Sequence, residues 1–437
     1  MLFALVACAV PYGLSQLRFL PRTFLVVIAS LVGVALLSAS WSVTPKVSGE
    51  RAISFFVLMF AVVFVGSGAS RSRGRAERLF ASLLIAADLV GLAGLVVLAV
   101  DHNLAVQAGV PTMSARMRGF GENPDTASML FALALPIAEW LFFAGRGVLV
   151  RLAAGASFAL LYGSIIASGS RGALMAATAG SVVFFALLAG SVRRLVVFEV
   201  IVVAFFAGSF QISGSRPSDF PSPALPVSTK PAPVLVPPSK QGPAILKPAT
   251  EPPPSSPFEV GIKQGLTRAE VPIPFVPRSS EIGHPSTYDY KPIIGYGSGR
   301  VLAWLWAIRQ GLDVPVLGYG FGTESTVFVD RFYVFEGSYT ENSFIGMFLQ
   351  LGAVGTVLLL LPFLLVGSAV LRARREYDAA DRRVLGVAAG IVAGGFAVAF
   401  VQSYLYSVGN IATLTFWVGA ILAIIVAAKP RGRAGRD

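Results

Sequence analysis

Long apolar runs separated by short polar interruptions fill most of this chain. Ala52 to Gly68, Leu79 to Val100, Leu152 to Ala167 and Thr356 to Leu371 each carry at most one charge. Runs of about 17–25 apolar residues match the hydrocarbon thickness of a bilayer. The runs do not alternate polar and apolar residue by residue, as membrane β-strands would, so they predict helices. Spans are expected at about 1–14, 23–40, 52–68, 79–100, 126–144, 148–167, 173–190, 195–212, 343–371, 384–403 and 411–428. The N-terminal MLFALVACAV lacks a charged leading region and is read as a first span rather than a signal peptide. The expected class is an all-α polytopic membrane protein of about 11–12 transmembrane helices, with a large outer loop between the eighth and ninth spans.

The basic residues give this pattern a direction. One set of alternate loops holds 19 Lys and Arg, from Arg18 and Arg22 through Arg71, Arg146, Arg193 and Arg372 to Arg436, against five in the other short loops. Basic residues favour the cytoplasmic side, which puts the C-terminus inside and the long loop outside. The chain divides into an N-terminal bundle over 1–212, the outer loop over 213–342 and a C-terminal segment over 343–437.

Composition adds little that the pattern does not explain. Of 437 residues 55% are hydrophobic and 13% charged, against about 25% charged in soluble domains. A net charge of +12 would suggest nucleic acid on a soluble chain. The loop asymmetry accounts for it here, and no nucleic-acid partner is expected. The one cysteine, Cys8, allows no internal disulfide, and His102 and His284 stand too far apart to suggest a metal cluster.

Within the outer loop, 213–290 is rich in Pro, Ser and Ala, a composition that favours an extended, disordered linker. Character changes at Gly297. GSGRVLAWLWAIRQGL spaces Val301, Leu302, Leu305 and Ile308 helically beside Trp304 and Trp306, which predicts an ordered helical part over 297–340 lying at the outer membrane surface. VPVLGYGFGTES follows, with three glycines.

Four arginines fall on the side where basic residues are disfavoured. They are Arg116 and Arg118 before one span, Arg171 at the mouth of another and Arg300 at the start of the surface helix. Singly, each reads as an ion pair or a lipid headgroup contact. Together they suit a diphosphate, which guanidinium groups grip with paired hydrogen bonds. Glu341 and Asn342 open the span after the outer loop, where each reads either as a helix cap or, for Glu341, as a general base. Asp88 is the main charge inside a span, and reads as a bundle-interior residue or as the carboxylate of a proton-coupled transporter.

Several blocks, in order, resemble the O-antigen ligase and O-antigen/exopolysaccharide polymerase family. RMRGFGENPD places Arg116, Gly119, Pro124 and Asp125 as the family's R-x-x-G-x-x-x-x-P-N/D segment does, and SGSRGALMA is similar to its S-x-SRG segment. GRVLAWLWAIRQGLDVPVLGYGFG resembles its G-R-x-x-x-W and P-x-x-G-x-G block, with Arg300, Trp304 and Tyr319. Asn342, then nine residues, then Gly352-x-x-Gly355 is similar to the ligase motif, which opens with His where this chain has Glu341. That departure tilts the reading toward a polymerase.

The resemblance implies a glycosyltransferase of a bacterial inner (cytoplasmic) membrane whose large loop is periplasmic. Its donor would be an undecaprenyl-diphosphate-linked glycan and its acceptor a glycan hydroxyl, with membrane lipids around it, no cofactor, no metal and a chain-length regulator as a further partner. Arg171, Arg300 and Glu341 would be catalytic. Arg116, Arg118, Asn342, Trp304 and Tyr319 would bind diphosphate or sugar. A ligase acting on a lipid or protein acceptor is the alternative, and a transporter or flippase without chemistry is the alternative of another class.

Overall fold

The computed structural model describes residues 20–107, 116–119, 123–145, 147–188, 300–328, 339–373 and 379–428. All of them belong to one compact unit. The protein is an all-α polytopic membrane protein. Its helices are α1 (Arg22–Leu37), α2 (Pro45–Ala69), α3 (Arg73–Val100), α4 (Pro124–Ala144), α5 (Val148–Ser168) and α6 (Arg171–Leu188). They continue as α7 (Arg300–Gly311), α8 (Ser343–Ala373), α9 (Ala379–Ala399) and α10 (Ile411–Ala427). Eight helices among the described residues are long and apolar enough to cross a membrane, and α10 is a shorter apolar helix. Nine of the expected spans coincide with α1–α6 and α8–α10. Those at 1–14 and 195–212, Cys8, His284 and the Pro-rich stretch lie outside the described residues.

Burial sorts the helices into centre and ring. Helix α10 is apolar all round and buries Trp417, Phe416 and Ile421 completely or nearly so. A helix without a polar face belongs in a core. Helix α4 is equally enclosed from Ser128 to Trp140. By contrast α1, α2, α3 and α5 expose Val26, Ile53, Phe56, Leu89, Val96 and Leu152. In water such surfaces would aggregate, whereas in lipid they are the outer wall. Helices α6 and α9 run along each other where Gly180 and Gly390 face one another's carbonyls and Gly394 faces that of Ala176. Small residues are what let membrane helices approach this closely.

Among the described residues, Asp88 and Glu139 are acids set well inside apolar helices. Ser157 Oγ donates to Asp88 Oδ2 at 2.6 Å, joining α5 to α3. Glu139, which the charge pattern did not single out, is 1% exposed and accepts from Ser181 Oγ.

Candidate active site

The connections that follow α1, α3, α5, α7 and α9 all meet at one end of the bundle. Local sequence explains how each is shaped. Asn123, Asn342 and Asn410 cap α4, α8 and α10. Their side-chain oxygens accept from Asp125 N at 2.8 Å, from Phe344 N at 3.0 Å and Ile345 N at 3.1 Å, and from Ala412 N at 2.9 Å. Short polar side chains satisfy the orphan donors of a helix start in this way. Gly169, with φ 62°, ends α5 in the left-handed region, and Ser170 Oγ accepts from Ala173 N to open α6.

The glycine-rich loop is held by a break in α8. Gly352 has φ 61° and ψ −156°, so α8 is two helices joined at this residue. The break frees backbone groups that 315–320 takes up strand-fashion. Tyr319 N donates to Leu349 O at 3.0 Å, Gly320 N to Gln350 O at 2.8 Å and Ala353 N to Pro315 O at 2.8 Å. Backbone groups away from water must find such partners, which is why irregular backbone near a membrane is found only against protein. The same loop reaches across to the start of α2. Val43 N donates to Tyr319 O at 3.1 Å and Phe321 N to Ser38 Oγ at 2.9 Å. A Cβ at Gly320 would overlap Ser42, and one at Gly318 the backbone of Gln350. Gly318 and Gly352 thus serve a backbone-to-backbone joint, while Gly320 fits against Ser42 and Gly322 against the Arg51 side chain.

Beyond that joint lies a buried carboxylate. Glu324, in the single turn Glu324–Val327, is 2% exposed. Its Oε1 accepts from Thr340 N, Thr340 Oγ1 and Ser403 Oγ, each at 2.8 Å. Its Oε2 accepts from Tyr406 OH at 2.6 Å and Gln350 Nε2 at 3.2 Å. Burial pushes this carboxyl above the usual range, with hydrogen bonds from Tyr406, Ser403 and Thr340 opposing it. The Tyr406 phenol is driven well up by burial and by the Glu324 charge.

Two ion pairs form the surface of the site. Arg300 donates through Nε, at 2.8 Å, and Nη2 to Glu341 Oε2. Arg116 donates through Nη2 to Asp125 Oδ1 at 2.5 Å and through Nε to Ser168 O at 2.7 Å. Gln402 Nε2 donates to Asp125 Oδ2 at 3.3 Å. The two pairs feel each other: burial raises the Glu341 carboxyl above its ordinary value, Arg300 pulls it down, and Asp125 and Arg116 act in opposite senses. Glu341 also has φ 48°, the one left-handed non-glycine among the described residues.

The residues singled out in the sequence therefore fall into groups. Arg116, Arg300 and Glu341 come together. Arg171 is exposed at the start of α6, beside Gly172, which lies against Val401 near Gln402. Arg118 donates through Nε to Leu104 O at 2.9 Å and lines a largely apolar cavity of about 370 Å³ with Gly91, Gly94, Phe131, Ser164 and Ile411. Trp304 Nε1 donates to Thr340 O at 2.9 Å, tying α7 to the turn before Glu341. Asn342 is engaged at both ends of its side chain, capping α8 and donating to Phe400 O at 3.0 Å. Tyr319 stands apart: its hydroxyl donates to Gln310 O at 3.1 Å and it packs against the cluster of Ala303, Ala307, Val327 and Leu349. Burial, then Asp313, raises its phenol pKa. Glu324, Gln350, Ser403 and Tyr406 were not singled out. Their signal was faint, a lone acid after a glycine loop and polar residues beside or inside apolar spans.

The chain matches no protein-family model, and no curated protein matches it. One solved structure of related shape is a chain from work titled "Structural coordination of polymerization and crosslinking by a peptidoglycan synthase complex". It is 16% identical, with 93% of this chain and 97% of that chain covered at a TM-score of 0.42.

Proposed function

We propose that the protein is a membrane glycosyltransferase that polymerises polyprenyl-diphosphate-linked oligosaccharide units at the outer face of a bacterial inner membrane. The observation that carries this reading is the convergence of Arg300–Glu341 and Arg116–Asp125, drawn from distant stretches of sequence, at one end of a membrane bundle. The large loop is periplasmic and the C-terminus cytoplasmic in this reading, as the basic-loop asymmetry requires.

Each part of the site has work to do in such a transfer. An acceptor hydroxyl attacks the anomeric carbon of the donor's first sugar, the bond to the diphosphate oxygen breaks, and the proton of the hydroxyl passes to a base. Glu341 offers that base: Arg300 occupies Oε2, and Oε1 carries no hydrogen bond among the described residues. The leaving diphosphate needs no proton but gathers negative charge. Arg300 and Arg116, already oriented by their carboxylates, and the exposed Arg171 stabilise it, a contribution on the order of 10²–10³ in rate for one preorganised donor. The starts of α4, α6 and α8 lie at the same end and add their favourable dipoles. The cavity beneath Arg118 offers apolar walls to the first isoprene units of the lipid.

The test is direct. Protein in nanodiscs is given a polyprenyl-diphosphate oligosaccharide from its host, and products are separated by gel. A ladder of lengthening glycans, lost in Arg171→Ala and Arg300→Ala, is expected. Transfer of a single unit to a supplied lipid acceptor would replace polymerisation by ligation, and absence of any product would return the protein to the transporter class. A chain-length regulator added to the assay is expected to narrow the ladder without being needed for the first bond.

A further inference from the structure

Glu324 does more for the site than fill a polar hole. It is 2% exposed and all five of its hydrogen bonds are internal, so it does not meet substrate itself. What it grips is the turn that carries Glu341. Directly, it holds Thr340 by both backbone N and Oγ1. Indirectly, it holds Ser403, whose Oγ accepts from Asn342 N at 3.1 Å. Trp304 fixes the carbonyl of Thr340 from the other side. Both neighbours of Glu341 are thereby clamped, and between them Glu341 keeps a left-handed backbone that a residue with a Cβ rarely adopts. Such strain persists only where surrounding bonds over-determine it, and it is found at functional sites.

The chemistry of the clamp calls for a carboxylate in particular. Thr340 N and Gln350 Nε2 can only donate, and they sit on different oxygens of Glu324. Gln350 cannot turn its amide round, because its Oε1 accepts from Gly322 N at 2.6 Å. Position 324 must therefore accept on both sides. We propose that Glu324 is a positioning residue for the transfer reaction, using its two oxygens to lock the 340–342 turn so that Glu341 faces Arg300. This rests on the glycosyltransferase reading above, but the clamp can be observed without it.

Glu324→Gln presents an N–H group to the Gln350 amide or to Thr340 N. The paired change Glu324→Gln with Gln350→Glu exchanges the two groups: Thr340 N and Gly322 N keep their acceptors and the 324 amide donates to position 350, while the Tyr406 hydroxyl turns to accept and Gly346 O loses the donor it has at 3.1 Å. Full-length protein in nanodiscs is followed by amide hydrogen exchange over 339–346 and, separately, by kcat and KM with the lipid-linked glycan. In Glu324→Gln, protection of the turn and kcat should each fall about ten- to a hundredfold, the worth of a hydrogen bond to a charged group, while KM for the donor stays nearly constant. The paired variant should recover a large part of both. Ser403→Ala, a milder cut, should loosen the Asn342 amide and lower kcat less.

Three results would overturn the proposal. The first is exchange unchanged in both Glu324→Gln and Ser403→Ala. The second is a loosened turn with kcat intact. The third is a paired variant that regains protection without kcat, which would give Glu324 a part in proton transfer itself. A wild type inactive on authentic donor refutes the glycosyltransferase reading and leaves the exchange data to decide the clamp.

Discussion

At the scale of single residues the site is governed by how buried carboxylates and guanidinium groups share one end of the bundle. Glu341 holds its proton more tightly in the folded protein than an exposed glutamate, because burial outweighs the pull of Arg300. A raised folded pKa contributes most to stability in acid, and that contribution is lost as pH rises through the folded value. The ionised form needed for a base is present only above it. The acid limb of the activity profile should therefore lie above the ordinary glutamate value of about 4.3. Arg300→Gln removes the main force pulling the pKa down, so its residual activity should show the limb displaced further toward neutrality. A limb that stays put in Arg300→Gln would detach Glu341 from the proton step. Asn342 teaches a different point at this scale. Its sequence offered a cap or a sugar contact, and its side chain is taken up by the cap and by Phe400. Local sequence named the arginines because positive charge in the otherwise Lys- and Arg-poor loops is conspicuous, and Glu341 because it opens a span. It passed over Glu324, whose importance lies in partners 16 to 82 positions away.

At the scale of elements, hydrophobic periodicity was enough to place nine helices, because a span must be long, apolar and continuous. It could not show that α8 is broken. Asn342, Gly352 and Gly355 read equally as a capped helix with two packing glycines. Only the backbone of 315–320, distant in sequence, gives the break at Gly352 a partner. The glycines on the loop side are correspondingly intolerant. Gly320→Ala would meet Ser42 and sit at φ 107°. It should destabilise the protein by about 1–3 kcal/mol, read as a lowered thermal midpoint in detergent. The contact of α6 with α9 makes a parallel prediction. Gly390→Leu drives a side chain into the carbonyl of Gly180 and the ring of Pro136, at a cost of about 1–3 kcal/mol or more. Gly367→Ala in α8, with open space around it, should be neutral.

At the scale of the whole molecule, the connections that converge on the site are alternate ones along the bundle, and in the proposed function the face they share is the outer one. The short loops poor in Lys and Arg meet one another and the long loop in the structure, at Ser168–Arg116, Asp125–Gln402, Trp41–Leu317 and Phe400–Asn342. A membrane topology forces that arrangement, since alternate connections share a face. In a Cys8→Ala background, single cysteines at Ser40, Asp101, Asp313 and Val408 should all react with an impermeant thiol reagent from the outside. Cysteines at Ser72 and Gly147 should react only after lysis. One labelling pattern in the reverse sense would invert the topology. What no linear pattern could supply is which loops touch, and the chemistry rests on those contacts. In the proposed reaction the arginines stabilise a departing lipid diphosphate. The most direct measurement is release of polyprenyl diphosphate from a radiolabelled lipid-linked oligosaccharide in nanodiscs, comparing wild type with Arg300→Ala and Arg116→Ala. Release coupled to glycan transfer, slowed on the order of 10²–10³ in either variant, is the predicted result. Wild-type protein that leaves the donor intact, or variants that release it at the wild-type rate, would contradict it.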